Sequence, residues 1–144
     1  MGEKSKIRAD RLLVLLTGAG QQILDELKRD YRKNGLDKIS PAMGAVLCAL
    51  RRSQPRSMRE IAHHIARDPS TVTPIVQKLL KLNLVIQKRS REDGREWLVL
   101  PTPQGDVIRA KVVRISRGIH VRLYRDLNVE ERERLVSLLA GLRS

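Results

Sequence analysis

The chain has no phenylalanine, a single cysteine, and no aromatic residues besides Tyr31, Trp97 and Tyr124. Proteins that hold RNA or single-stranded DNA stack bases on aromatic platforms, and this chain offers almost none. The lone Cys48 excludes an internal disulfide and fits a reducing cytoplasm. Set among Val46, Leu47 and Leu50, it reads as a small hydrophobe. No apolar run nears the ~18 residues that span a bilayer. The longest, Leu12 to Leu16, follows Arg11 and precedes no small-residue cleavage site, so neither a membrane partner nor a secretory signal is expected. His63 and His64 are adjacent, about 100° apart on a helix, and cannot share a metal as residues i and i+4 would. No Ser-His-Asp, Cys-His or paired-carboxylate spacing nominates a catalyst. The expectation is a cytoplasmic protein that is not an enzyme and uses no metal or cofactor.

Positive charge is what the chain has in excess. It carries 29 Lys and Arg against 16 Asp and Glu, a net charge of +13 in 144 residues. That length suits one domain, and that charge calls for a polyanionic partner. No basic tail concentrates it; residues 56–95, with nine basic and four acidic groups, are the densest stretch by a modest margin.

Hydrophobic periodicity predicts a mainly helical chain with a small two-stranded β ribbon, in the order α-α-α-α-β-β-α-α. Leu12, Leu13, Leu16, Ile23, Leu24, Leu27 and Tyr31 mark one helix over the first 33 residues, with Gly18 and Gly20 as a bend or a close crossing. Asn34-Gly35 ends it. Ser40-Pro41 opens a second helix, and "SMRE" (57–60) is a capping box that opens a third. Asp68-Pro69 opens a fourth. After Asn83 the period falls to two, giving strands at 84–89 and 96–100 around Asp93-Gly94, with Pro101 as the stop. Thr102 caps a helix reaching about Leu127, and Asn128 caps a last one ending near Leu142.

Helices 57–65 and 69–82 have the spacing of a helix-turn-helix, with Ile61, Ala62, Ile65, Val72 and Ile75 where two helices must cross. Any amphipathic helix pair would show as much. The hairpin directly afterwards decides, because a helix-turn-helix followed by a two-stranded ribbon is a winged helix. Ser70, Thr71, Thr73, Pro74, Gln77 and Lys78 then face outward on the second helix, where Ser, Thr and Gln can hydrogen-bond base edges. Pro74, in the helix interior, predicts a kink or a start near Ser70. On the wing, Lys88, Arg89, Arg91 and Arg95 are candidate DNA contacts, with Lys88 and Arg89 on phosphate. Asp93, which repels phosphate, is expected to hold the Arg95 side chain in one rotamer.

At residues 59–105 the chain resembles the MarR family of bacterial and archaeal regulators. Leu79 and Leu80 lead to Leu84-Val85 as in the family's helix-to-strand step, Asp93 and Arg95 match its wing, and Thr102 with Gly105 matches its closing motif. Four positions depart from the pattern: Asn83 for a glycine, Gly94 for the middle wing arginine, Pro101 for a leucine, and Pro74 where many relatives are basic. The resemblance implies a winged helix-turn-helix lobe (40–101) between two dimerisation segments (1–35 and 104–144). It implies a repressor that binds a pseudo-palindromic duplex operator as a homodimer, and leaves open release by a small aromatic or anionic effector.

The apolar positions outside the lobe exceed what one small lobe can cover. Leu12, Leu16 and Ile23 from the first segment are expected to meet Ile108, Ile115, Ile119, Leu135, Leu138 and Leu139 across a two-fold axis. Two other readings share the composition: a basic RNA-binding or ribosome-associated module, and a winged helix used as a protein-interaction scaffold.

Overall fold

A computed structural model describes the backbone of residues 2–142 and the side chains from Arg11 onward. Met1, Arg143 and Ser144, at the outer ends of the two expected dimerisation segments, lie outside the described residues. The elements are α1 (Gly2–Lys33), α2 (Pro41–Ala49), β1 (Arg56–Ser57), α3 (Met58–Ile65), α4 (Pro69–Lys81), β2 (Val85–Arg89), β3 (Trp97–Pro101), α5 (Pro103–Leu123) and α6 (Val129–Gly141). The mainly helical winged architecture is as expected, with a third strand in addition. β1 pairs with β3, which lies between β1 and β2 in an antiparallel sheet. Two residues are too few to carry a period, so β1 left no mark in the sequence.

Local chemistry sets the boundaries. Ser40, Ser57, Asp68, Thr102 and Asn128 each accept a backbone N–H at a helix start, and Ser57–Glu60 and Asn128–Glu131 are reciprocal boxes. α1, α3 and α4 end alike, on a left-handed residue: Gly35 (φ 73°), Ala66 (φ 61°) and Asn83 (φ 56°). The amide one residue beyond each donates back across the turn, as Leu84 does to the Leu79 carbonyl at 3.0 Å. Asn83 thus fills the usual glycine's conformational role.

Neither expected irregularity interrupts its helix. α1 runs unbroken through Gly18 and Gly20, and nothing in the chain comes within 4 Å of a side chain built at either. α4 starts at Pro69 and stays helical through Pro74. The proline removes one amide from the ladder without ending the helix, because Val72, Val76 and Leu79 anchor it in the core on both sides.

That core joins α2, α3, α4 and the sheet around Leu47, Leu50, Ile61, Val72, Val76, Leu79, Val85 and Val99. Each such side chain contributes about 1.5–3 kcal/mol on burial. α5 continues the core through Val112, Ile115 and Ile119, and Arg122 fastens it to α1 by ion pairs to Glu26 (3.1 Å) and Asp30 (3.3 Å). Ile115 and Ile119 were expected at a dimer interface; they are 8% and 3% exposed because they pack within their own chain. Ile108 is likewise packed against the core. α6, in contrast, buries no residue. Arg132 holds its corner, donating to the Leu127 and Tyr124 carbonyls, both at 2.9 Å. No helix among the described residues is long and apolar enough to cross a membrane.

Tyr31 reports how tightly α1 sits on α2. A side chain at Gly44 would overlap its hydroxyl, and burial, with Cys48 beside it, pushes its pKa to about 12. The group is neutral when folded, so its contribution is complete below pH 10. It is lost as pH rises from 10 to about 12, where only the unfolded chain ionises freely. Urea midpoints should therefore fall across that window more steeply for the wild type than for Tyr31→Phe; parallel curves would contradict the assignment. Burial pushes the Cys48 thiol up as well, against the opposing pull of Arg109 and Arg51.

Candidate nucleic-acid interface

α3 and α4 meet through Ile61, Ala62 and Val72, with Ile65 and Ile75 partly covered, which turns the remaining face of α4 outward. Ser70, Thr71, Thr73, Pro74, Gln77 and Lys78 are all exposed. Two hydroxyls among them are already engaged. Ser70 donates to the Asp68 carboxylate at 2.6 Å, and Thr73 reaches the Pro69 carbonyl at 3.4 Å. The Ser70 hydroxyl and amide hold the Asp68 carboxyl below its ordinary pKa. Among the described residues, Thr71, Gln77 and Lys78 have no side-chain hydrogen bond to another group, so they are the freer donors.

The wing stands beside this face. Lys88, Arg89, Arg91, Asp93 and Arg95 are exposed, and a groove between wing and helix is lined by Arg59, Thr73, Gln77, Asp93, Glu96 and Trp97. Its loop is closed by backbone bonds from Ser90 to the Glu96 carbonyl (2.9 Å) and from Glu96 to the Asp93 carbonyl (3.0 Å). Asp93 has a different task from the one expected. Its carboxylate accepts the backbone N–H of Arg95 at 3.0 Å, not the guanidinium, and its own amide donates to the Ser90 hydroxyl at 3.3 Å. An aspartate two residues before an amide is well placed for that local turn.

The arginine that is held is Arg89. It donates to the Gly94 carbonyl at 2.8 Å and lies 4.2 Å from the centroid of the Trp97 ring. Trp97, 43% exposed and directly across from Arg89 in the β2–β3 register, went unnoticed as a site residue. Its isolation as the sole tryptophan, at the base of a basic wing, was the available signal.

The closing motif couples the wing to α5. Thr102 accepts the Gly105 amide at 3.0 Å and donates to the Asn83 carbonyl at 2.8 Å, while its own amide donates to the Leu84 carbonyl at 3.0 Å. One threonine thus joins the end of α4 to the start of α5. His63 and His64 are exposed on α3, and among the described residues no group of three or more His, Cys, Asp or Glu could hold a metal.

Comparison with known proteins agrees with this geometry. The MarR family model matches residues 39–97. The regulator SarZ of Staphylococcus aureus is 28% identical over 88 residues, covering 61% of this chain and 57% of that protein. The chain thus aligns with little more than half the length of such relatives. Over longer spans, the transcriptional regulator BldR of Sulfolobus solfataricus superposes with a TM-score of 0.78, at 25% identity and 99% and 100% coverage of the two chains. Bordetella bronchiseptica BpsR gives a TM-score of 0.76, at 27% identity and 89% coverage of each. The winged lobe thus fits the MarR family model over residues 39–97, and the lobe with its flanking long helices superposes on solved transcriptional regulators.

Proposed function

We propose that the chain is a sequence-specific binder of double-stranded DNA, a repressor acting as a homodimer on a pseudo-palindromic operator. The observation that carries this reading is the exposed polar face of α4 beside a basic, internally braced wing. Thr71, Gln77 and Lys78 would read bases in the major groove, and Lys88, Arg91 and Arg95 would engage the backbone or the minor groove. Selection of bound sequences from random duplex is expected to return an inverted repeat. Failure to retain any duplex at low salt would overturn the reading in favour of the protein-interaction scaffold, and preference for RNA in competition would favour the RNA-binding module.

The homodimer reading rests on apolar surface outside the lobe. Leu12, Leu13 and Leu16 on α1 and Leu135, Leu138 and Leu139 on α6 are between 36% and 65% exposed. With partly buried Ile23 they form the revised interface, residues 1–35 and 104–144 supplying the dimerisation helices. Sedimentation at micromolar concentration should give twice the chain mass, and a clean monomer would remove the dimer from the proposal. For BpsR, DNA binding is regulated by 6-hydroxynicotinic acid. That supports a small aromatic or anionic effector here, which duplex release by a panel of such acids would reveal.

A further inference from the structure

Lys28, Arg32, Lys38 and Lys78 line one recess. Lys28 and Arg32 come from the end of α1, Lys38 from the loop after it and Lys78 from α4, while Ser40 and Pro41 bring in the start of α2. Asp37 is the one acid lining it. All four cations are exposed, and none forms a salt bridge among the described residues. The nearby acids of α1, Glu26 and Asp30, are instead paired with Arg122. Four cations gathered around one carboxylate repel one another, and among the described residues no salt bridge offsets this, Arg32 donating only to the Lys28 carbonyl at 3.4 Å. The positive end of α2 points the same way.

The position of the recess identifies its occupant. The groove on the wing side of α4 takes Thr73 and Gln77. Lys78 is one residue beyond Gln77, about 100° around the helix, and opens into the second recess, which contains no wing residue. The face proposed to read bases therefore has the wing on one flank and the cationic recess on another. A helix in a major groove about 12 Å wide has a sugar-phosphate strand on each side.

We infer that Lys28, Arg32 and Lys38, beside the base-reading Lys78, grip the second phosphate strand bounding the groove that α4 enters, opposite the strand met by the wing. This inference rests on the DNA-binding reading above. It gives α1 and its following loop a direct part in DNA affinity, and it makes the orientation of α1 on the lobe a determinant of binding.

Phosphate-ethylation interference on a duplex selected by the wild-type protein tests it. Two clusters of sensitive phosphates are expected per half-site, one on each strand bounding the groove. The Arg32→Ala/Lys38→Ala protein should lose one cluster and keep the other, with the slope of log K against log salt flattened by about 0.9 per lost contact. At 0.15 M salt that is about a fivefold loss of affinity per contact. Arg95→Ala should show the complementary pattern. Lys28→Ala, with one change, should weaken the same cluster if the double variant is poorly folded. A wild-type protein that binds with wing-side interference alone, or a double variant that keeps both clusters and the full salt slope, overturns this inference while leaving the DNA-binding reading intact. A wild type that retains no duplex overturns both.

Discussion

Alanine at position 105 is expected to destabilise the protein by about 3 kcal/mol, at the upper end of the range for overpacking. Gly105 is buried on the first turn of α5, and a Cβ built there overlaps the backbone carbonyl of Leu84. The obstacle cannot swing away as a side-chain tip would. Leu84 is 3% exposed, its carbonyl accepts the Thr102 amide, and its amide closes the end of α4. Relief would have to pull α5 off the lobe or break the hydrogen bonds that join α4 to β2. In a domain of this length the loss corresponds to a melting temperature lower by about 10 °C. Gly18→Ala is the control: it is mid-helix in open space, so it should stabilise by up to about 1 kcal/mol. Calorimetry of both separates a steric demand at 105 from a general response to losing glycine. A Gly105→Ala protein that melts with the wild type would show that α5 does not need this close approach.

The wing should give the largest change in DNA affinity. Arg95→Ala is expected to weaken binding to the selected duplex by about 1–3 kcal/mol, the scale of one specific contact. The bonds around residues 89–97 then separate charge from architecture. Asp93→Asn keeps an oxygen that can accept the Arg95 amide while removing a negative charge from the wing. It should tighten selected and scrambled duplexes alike. Asp93→Ala removes the turn bond too, so it should tighten scrambled duplex but lose part of that gain on the selected one. Trp97→Ala leaves the charge unchanged and removes the surface against which Arg89 lies, so it should weaken the selected duplex more than the scrambled one. Fluorescence anisotropy of the four variants on both duplexes provides the comparison. Equal behaviour of Asp93→Asn and Asp93→Ala would mean that the carboxylate acts through its charge alone.

Much of this protein was legible in one dimension because the relevant forces are local. Helix starts followed from residues whose side chains accept the amides of the next turn, and Ser57-x-x-Glu60 closes its box with no outside help. Periodicity identified Ile61, Ala62 and Val72 as buried positions, because a helix in water must put such a stripe inside. Charge pointed to a polyanion and the lack of aromatics to a duplex, both from composition alone.

What the sequence left undecided depends on contacts between distant segments. A two-residue strand exists only because β3 offers it an edge, so β1 had no pattern of its own. Ile115, Ile119 and Leu138 look alike as letters, yet α5 lies on α2 and α1 while α6 packs on little else, so the first two are core and the third remains exposed. The partner of the Asp93 carboxylate depended on the path of a seven-residue loop, which brought the Arg95 amide within 3.0 Å and sent Arg89 to Gly94. Lys28, Arg32, Lys38 and Lys78 are spread over fifty positions of sequence, each unremarkable as a solvated charge. Only the docking of α1 against the lobe gathers them into one recess, because a shared electrostatic field depends on distance in space and not on separation along the chain.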